Sequence, residues 1–122
     1  ARMGAIRLSR VYDHEAYGAG KAFLVERLWP RGVRREDLEM DAWLKDVAPS
    51  PELRTWFSHD AGKWTEFRRR YHRELDANPQ AWQPLVEAAV AGDVTLLYSS
   101  RDRDHNNAVA LRDYLTTQLR KG

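Results

Sequence analysis

The chain has 122 residues, with 20 basic and 18 acidic side chains and a formal net charge of +2. A dedicated nucleic-acid-binding domain usually carries a larger and more clustered positive charge, so the composition fits a small acidic ligand as well as it fits DNA or RNA. The sequence contains no cysteine, which excludes a disulfide framework, a thiolate zinc site and a cysteine nucleophile. No apolar run reaches the length of about 20 residues that a membrane helix needs, and we expect a cytoplasmic protein with no membrane partner.

This length predicts one domain over residues 1–122 with a single core, and we assign no function to residues 1–4. Apolar and polar side chains alternate over residues 6–9, which predicts a strand with one buried face. Residues 12–21 are predicted to form a loop. The continuous apolar run of residues 23–25 predicts a strand covered on both faces, as in a parallel sheet.

The middle of the chain shows mainly helical patterns. The segment 35–47 is expected to contain a short helix, with Asp41 as its candidate N-cap. Ser50 followed by Pro51 predicts the start of the next helix, because proline is tolerated at the first helical position. Apolar side chains recur at spacings of three and four over residues 64–75, which predicts an amphipathic helix.

A further helix is predicted to begin at Asn78-Pro79 and to end at Gly92. We expect Pro84 to kink or restart this helix, because proline removes a hydrogen bond inside a helix. Residues 94–98 predict the last strand, a polar turn follows over residues 99–104, and the last helix is expected from about His105 to about Arg120 with Asp104 as its N-cap.

The long helical segment between the second strand and the last strand predicts that these two strands are parallel. The predicted fold class is therefore α/β, with a small, mainly parallel sheet of three or four strands. About five helices should flank this sheet in a three-layer, Rossmann-like arrangement.

Open α/β sheets bind ligands beyond the carboxyl ends of their strands. The loop Glu26–Gly32 follows the second strand and the segment 99–103 follows the last strand, so both should meet at one edge. The last helix begins at the same edge, where its N-terminus favours an anion. Arg27, Arg31 and Arg101 are the candidates that would hold this anion, because guanidinium groups bind phosphate and carboxylate at two points.

Other interpretations of the same residues stay open. The arginines could pair with local acids such as Glu26 and Asp46 and only hold loops together. Trp29 or Tyr98 would form a wall of the pocket, although a tryptophan at a strand end is more often a core residue or part of a lid.

Titratable groups are densest at residues 102–105, where Asp102 and His105 are candidates for an acid–base pair. His59 is a second acid–base candidate, although a lone histidine in a loop is more often inert. No spacing typical of a metal site is present, so we predict no metal. Residues 17–21 have the composition of a phosphate-binding loop, but they precede a strand where such a loop should follow one, so we interpret them as a flexible connection.

Several long motifs run through the chain: VERLWPRG at residues 25–32, WLKDVAPS at residues 43–50, LRTWF at residues 53–57 and LLY at residues 96–98. Together with HD at residues 59–60, RD at residues 101–102 and HN at residues 105–106, they resemble the YeaO-like proteins, a branch of the bacterial domain of unknown function 488 family. The resemblance extends over residues 6–120. Other branches of that family carry a cysteine-containing motif after the last strand. This chain has no cysteine, so the resemblance implies no thiol chemistry here.

The positions that match the family include many polar side chains that core packing would not require. We expect them to form one cleft: Arg27, Arg31, Lys45, Asp46, Ser50, Arg54, His59, Arg101, Asp102, His105 and Asn106.

The favoured hypothesis is a site for a phosphorylated or carboxylated small molecule, nucleotide-like in one version, with or without catalysis. The cofactor, the substrate and the oligomeric state stay unassigned. The alternative is a nucleic-acid-binding or protein-interaction module that uses the basic face of residues 68–73. There the arginines could equally form i,i+4 pairs with glutamates on a solvated helix.

Overall fold

A computed structural model describes residues 4–13 and 20–121 of the chain. Residues 14–19 of the predicted 12–21 loop, which include residues 17–19 of the segment with the composition of a phosphate-binding loop, lie outside the described residues. Four strands form one sheet: β1 (Ile6–Arg10), β2 (Lys21–Leu24), β3 (Ala42–Trp43) and β4 (Val94–Tyr98). Their order across the sheet is β1-β4-β2-β3, and every pairing is parallel. The predicted α/β class and the parallel pairing of the second and last strands of the sequence pattern are confirmed.

The described residues contain four α-helices, where about five helices were expected: α1 (Pro51–Phe57), α2 (Trp64–Asp76), α3 (Pro79–Ala91) and α4 (Asn107–Lys121). Short 3-10 helices lie at Val11–Asp13, Arg35–Asp37, Lys45–Val47 and Ala61–Lys63. Helix α3 continues through Pro84 and ends at Gly92, so the expected restart at this proline does not occur.

The predicted helix over residues 35–47 is wrong. This segment contains two 3-10 helices on either side of β3. Asp41 does not cap a helix, since its carboxylate accepts a hydrogen bond of 2.7 Å from the Ala22 backbone N–H. The Asp41 N–H in turn donates to the Ala22 carbonyl at 2.7 Å. Pairing with β2 therefore decides the conformation here, because an edge strand can satisfy backbone groups that a short helix would leave free.

The start of α4 also differs from the prediction. The side-chain oxygen of Asn106 accepts a hydrogen bond of 3.1 Å from the Val109 N–H, which is the geometry of an N-cap. Asp104 lies outside the helix, and its own N–H donates to the Asp102 carboxylate at 3.0 Å. The helix begins at Asn107, about two residues later than expected.

Two apolar clusters cover the two faces of the sheet. The side chains of β4 alternate between them: Leu96 packs in the cluster that contains the buried residues of all four helices, and Leu97 packs in the opposite cluster. The second cluster is built from 3-10 helices and loop residues such as Val11, Leu38 and Trp29. The sheet is thus covered in three layers, although one outer layer contains no α-helix in the described part of the chain.

The N-terminus of α1 is fixed to α2 through Ser50. The Ser50 hydroxyl accepts a hydrogen bond of 3.2 Å from the Leu53 N–H, as predicted for an N-cap, and donates one of 2.6 Å to the Glu74 carboxylate. The Ser50 backbone N–H also donates to Glu74, at 2.9 Å. One carboxylate therefore holds both polar groups of the residue that precedes α1.

Replacing Ser50 by alanine should lower the free energy of unfolding by about 1 kcal/mol, the usual contribution of an N-cap hydroxyl. Urea titration followed by circular dichroism measures this change. Ser50→Thr is the control, because threonine keeps a hydroxyl that can cap the helix, and it should lose less than half as much. Equal stability of the alanine variant and the parent protein would contradict this role of Ser50.

Candidate functional site

A cavity of about 290 Å³ opens at the carboxyl ends of β2 and β4, between α1 and the start of α4. Four residues give it apolar walls: Ala48, Pro49, Phe57 and Phe67. The remaining lining residues carry polar or charged side chains: Glu26, Arg54, Thr55, Ser58, His59, Ser99, Ser100, Asn106 and Asn107. The edge that the sequence predicted for a ligand is therefore the edge at which the structure has its cavity.

Glu26 lines this cavity immediately after β2. One carboxylate oxygen accepts a hydrogen bond of 3.2 Å from the Ser99 backbone N–H, the first residue after β4. The Asn107 side chain also lies within hydrogen-bonding reach of the carboxylate, and the positive charge of Arg54 acts on it. The carboxylate is thus held between the ends of two parallel strands and the first residue of α4.

Burial raises the pKa of Glu26 above its ordinary value, and the hydrogen bonds from Ser99 and Asn107 and the charge of Arg54 offset this rise only in part. Removing a carboxylate from water disfavours its charged form. A titratable group with a raised pKa in a cleft is a common property of functional sites. Glu26 is therefore a candidate functional group of this cavity.

The start of α4 contributes two neighbouring amide side chains. Asn106 is buried, caps the helix and donates a hydrogen bond of 2.8 Å to the Asp102 carbonyl. Asn107 donates one of 2.8 Å to the Val25 carbonyl. Asn106 thus fixes the turn before α4, and Asn107 joins the first residue of α4 to the end of β2. At this helix end, unpaired N–H groups and the helix dipole favour an anion.

Helix α1 contributes the opposite wall. Arg54 is an exposed residue that lines the mouth of the cavity. The helix ends with two consecutive residues of positive φ, Ser58 at 46° and His59 at 57°. This left-handed conformation is unfavourable for residues other than glycine and occurs preferentially where function requires it. It turns the chain so that both Ser58 and His59 line the cavity.

Arg27 does not line the cavity, although it leads the motif that suggested the site. Its guanidinium donates hydrogen bonds to the carbonyls of Ala48 and Pro49, at 3.0 and 3.2 Å, and lies 4.0 Å from the Asp46 carboxylate. The side chain is 29% exposed. These contacts correspond to the alternative interpretation, in which this arginine holds loops together.

Three other candidates of the predicted cleft lie towards the second apolar cluster. Trp29 packs there, edge-on to Trp43 at 5.3 Å, and donates a hydrogen bond of 2.6 Å to the Val33 carbonyl. The ammonium of Lys45 lies over the Trp43 ring at 4.2 Å. Arg31 is exposed, and its carbonyl accepts a hydrogen bond of 2.7 Å from the Tyr12 hydroxyl. None of these three residues lines the cavity between β2 and β4.

The remaining ligand-binding candidates divide between structural positions and the surface. Ser50 is the N-cap of α1. Tyr98 belongs to the main core cluster, and burial raises the pKa of its hydroxyl. Arg101 is exposed on the turn after β4. Of the nine ligand-binding candidates, Arg54 and Asn106 are therefore the two that line the cavity.

Asp102 and His105 do form a pair, with 3.0 Å between the carboxylate and Nδ1 of the imidazole. The same carboxylate accepts hydrogen bonds of 3.0 Å from the N–H groups of Asp104 and His105. Burial raises the pKa of Asp102, but these hydrogen bonds outweigh that effect and lower it. The His105 ring packs edge-on against Trp64 at 5.4 Å. The pair orders the turn before α4, and neither residue lines the cavity.

The basic face of α2 is largely neutralised by its neighbours. Arg69 and Arg70 both bind Glu66, at 2.6 and 2.8 Å, and Arg68 binds Asp113 at 3.0 Å. The Arg70–Glu66 pair has the expected i,i+4 spacing, whereas Arg69–Glu66 is an i,i+3 pair and Arg68 reaches across to α4. Glu74, the other expected partner of Arg70, binds Ser50. Within the described residues no helix is long and apolar enough to span a membrane, and no group of three or more metal-ligating side chains lies together.

Comparison with known proteins now decides the family. The model of the inactive DUF488-N3 subclade matches residues 5–122. The uncharacterised protein YeaO of Escherichia coli is 39% identical over 110 residues, which cover 90% of this chain and 96% of YeaO. The chain is a YeaO-like member of the DUF488 family. This membership confirms the family that the sequence motifs suggested.

Shorter matches connect this YeaO-like chain to mycobacterial proteins. The uncharacterised proteins Mb3100c of Mycobacterium bovis and Rv3073c of Mycobacterium tuberculosis are each 44% identical over 70 residues, which cover 57% of this chain and 59% of each relative. No solved structure shows significant similarity to the chain.

Sequence reasoning missed Glu26 as a site residue, together with Ser99, Ser100 and Asn107. A signal for Glu26 was present, because a carboxylate directly follows the continuous apolar run of β2. The Asn106-Asn107 pair at the start of the last helix is a second such signal. The guanidinium group of arginine suits anions. Its long side chain also reaches nearby carbonyl groups, as that of Arg27 does.

Replacing Arg27 by methionine should lower the free energy of unfolding by about 2 kcal/mol, because charge-assisted hydrogen bonds to two carbonyls are lost. Chemical denaturation measures the change. Arg101→Met is the matched control and should change stability by less than about 0.5 kcal/mol, as is usual at exposed positions. If Arg27→Met were as stable as the parent protein, the structural role of the Arg27 hydrogen bonds would be contradicted, and Arg27 would again be a candidate for binding an anion.

The raised pKa of Glu26 predicts a pH-dependent effect of Glu26→Gln on stability. Since the folded protein holds this proton more tightly than the unfolded chain, the contribution of Glu26 is most favourable below the unfolded pKa of about 4.3 and falls as pH rises through the folded pKa. The glutamine variant has no such proton to lose. Its stability relative to the parent protein should therefore increase between about pH 4 and pH 8, as measured by urea midpoints.

Glu66→Gln is the control of opposite sign. Hydrogen bonds from Arg69 and Arg70 lower the pKa of Glu66 to about 2, so its contribution is present above the unfolded pKa and is lost in acid. The glutamine variant at this position should be relatively less stable at the higher pH. If Glu26→Gln and Glu66→Gln followed the same trend, the assignment of a raised pKa to Glu26 would be wrong.

Proposed function

We propose that this domain binds a small anionic ligand in the cavity at the carboxyl ends of β2 and β4, and that it binds the ligand without transforming it. The cavity volume of about 290 Å³ is close to the lower end of the range of about 300–1,000 Å³ for small-molecule pockets. The phosphate or carboxylate group of a metabolite or nucleotide is the chemistry that the lining favours.

One observation carries the proposal: Arg54 faces polar groups of the β4 turn and of α4 across a single cavity. A guanidinium can bind an anion at two points. Ser99, Ser100 and Asn107 add hydroxyl and amide groups on the opposite side. The first turn of α4 adds the partial positive charge of a helix N-terminus. The anion would thus be held by one charge and several neutral donors.

Binding without turnover agrees with the description of the matching family model and with the residues of this chain. The subclade to which the chain belongs is described as inactive. The sequence has no cysteine, and the hydrogen bonds of the Asp102 carboxylate order its own turn. His59 is the acid–base candidate that lines the cavity, where its imidazole would contribute a hydrogen bond to the ligand. As part of this proposal the domain acts in the cytoplasm. The absence of cysteine is compatible with that compartment, in which disulfides are rare.

A charge reversal tests the assignment. Arg54→Glu should weaken the binding of inorganic phosphate, sulfate or adenosine monophosphate at least tenfold, because one cationic anchor is replaced by a repelling charge. The stabilisation that these anions give to the melting temperature should fall accordingly. Calorimetric titration of the same anions gives the affinities directly.

Arg31→Glu is the matched comparison, since it makes the same change of charge at an exposed position outside the cavity. It should leave anion binding within about twofold of the parent protein, because Arg31 does not line the cavity and salt screens exposed charges. An equal loss in both variants would indicate a general effect of the changed net charge and would contradict the assignment of the anion to Arg54. No binding of any of the three anions to the parent protein would refute the proposed function.

A further inference from the structure

Glu26 gives the proposed anion site an unusual property, because a carboxylate already occupies the inner end of the cavity. Its oxygen takes the Ser99 backbone N–H at 3.2 Å, and Asn107 lies within hydrogen-bonding reach of the same group. These donors, at the end of β4 and the start of α4, are the ones that an incoming anion would use. The ionised side chain therefore stands in for the ligand's negative charge.

An anion and an ionised Glu26 cannot share this small cavity without strong repulsion. Two like charges within about 4 Å repel by several kcal/mol when the surroundings are partly desolvated. A protonated carboxyl group behaves differently, because it has no charge and its O–H can donate a hydrogen bond. One proton on Glu26 thus changes the inner wall from a competitor of the anion into a donor to it.

We propose that anion binding in this cavity is coupled to the uptake of one proton by the Glu26 carboxyl group, so that Glu26 decides both which ligands enter and at what pH. This inference rests on the proposed function, since it concerns the same site. The proton comes from solvent, and the carboxylate oxygen receives it as the anion enters. Anionic ligands should bind most tightly in mildly acidic solution and be released as pH rises.

The surroundings of Glu26 already favour this proton. Burial raises the pKa of the carboxyl group, and a bound anion would raise it further. The charged and titratable groups that face it are Arg54 from α1, Tyr71 from α2 and His59 at the cavity wall, while α4 presents the neutral amide of Asn107. Arg54 opposes protonation of Glu26, and an anion bound to Arg54 would cancel that opposition. His59 is the other side chain of the cavity wall that the experiment must separate from Glu26.

Sulfate is the probe that separates these contributions, because it keeps its charge across the range from about pH 5 to pH 8, in which carboxyl and imidazole groups titrate. Calorimetric titration of the folded chain with sulfate should give binding at least tenfold weaker at about pH 8 than at about pH 5. Titration in two buffers of different ionisation enthalpy should show net uptake of a proton on binding. This measurement on the parent protein needs no variant.

Two variants assign the proton. Glu26→Gln should bind sulfate with an affinity that depends on pH much less than that of the parent protein, and it should take up no proton, because glutamine is neutral throughout. His59→Gln should keep most of the pH dependence and the proton uptake. Loss of both in His59→Gln, with retention in Glu26→Gln, would overturn the inference and assign the coupling to the imidazole.

The outcomes also separate this inference from the function on which it rests. If sulfate binds with the same affinity at both pH values and without proton uptake, the coupling is wrong while the anion site stands. If neither sulfate nor phosphate binds at any pH, the anion site itself is wrong. If ethylammonium, the cationic probe, binds instead and more tightly at high pH, Glu26 acts as an ionised acceptor and both proposals are refuted.

Discussion

The parallel pairing of β4 with β1 on one side and β2 on the other is the constraint on which the molecule depends. All five residues of β4 are buried, and both of its edges are occupied by neighbours that run in the same direction. Because parallel strands need long crossovers, the three helices between β3 and β4 must pack on the sheet. The same parallelism brings the carboxyl ends of β2 and β4 side by side, which is why Glu26 meets the Ser99 N–H.

That meeting point explains how the motif residues divide their roles. The chain that leaves β2 sends Glu26 into the cavity, Arg27 to the carbonyls of Ala48 and Pro49, and Trp29 to the second apolar cluster. One short string of polar and aromatic residues thus contacts three separate parts of the structure. A partly buried guanidinium needs acceptors and a partly buried carboxylate needs donors, and the strand ends supply both kinds of group within a few residues.

The cavity that results is chemically asymmetric. The cationic Arg54 lies at its mouth, and the carboxyl group of Glu26, whose pKa is raised by burial, lies at its inner end. Hydroxyl and amide groups lie between them. The binding function that we propose for this lining involves no bond breaking, and it agrees with the description of the matching DUF488 subclade as inactive. The protonation of Glu26 links the affinity of the site to pH through the same desolvation that makes the residue costly to ionise in the fold.

Local and periodic features of the sequence were sufficient for most of the fold. The apolar runs of β2 and β4, the Ser50-Pro51 start of α1 and the three-and-four spacing along α2 are set by short-range physics, and each prediction was confirmed. The prediction of a short helix within residues 35–47 was wrong because the pairing of Asp41 with Ala22 joins positions far apart in the chain. The edge of the sheet at which the cavity opens followed from strand direction alone. Which arginine lines that cavity, Arg54 and not Arg27, depended on the carbonyl groups that the folded chain places next to Arg27. Hydrogen-bond partners of long side chains are tertiary facts, and only the packed structure decides them.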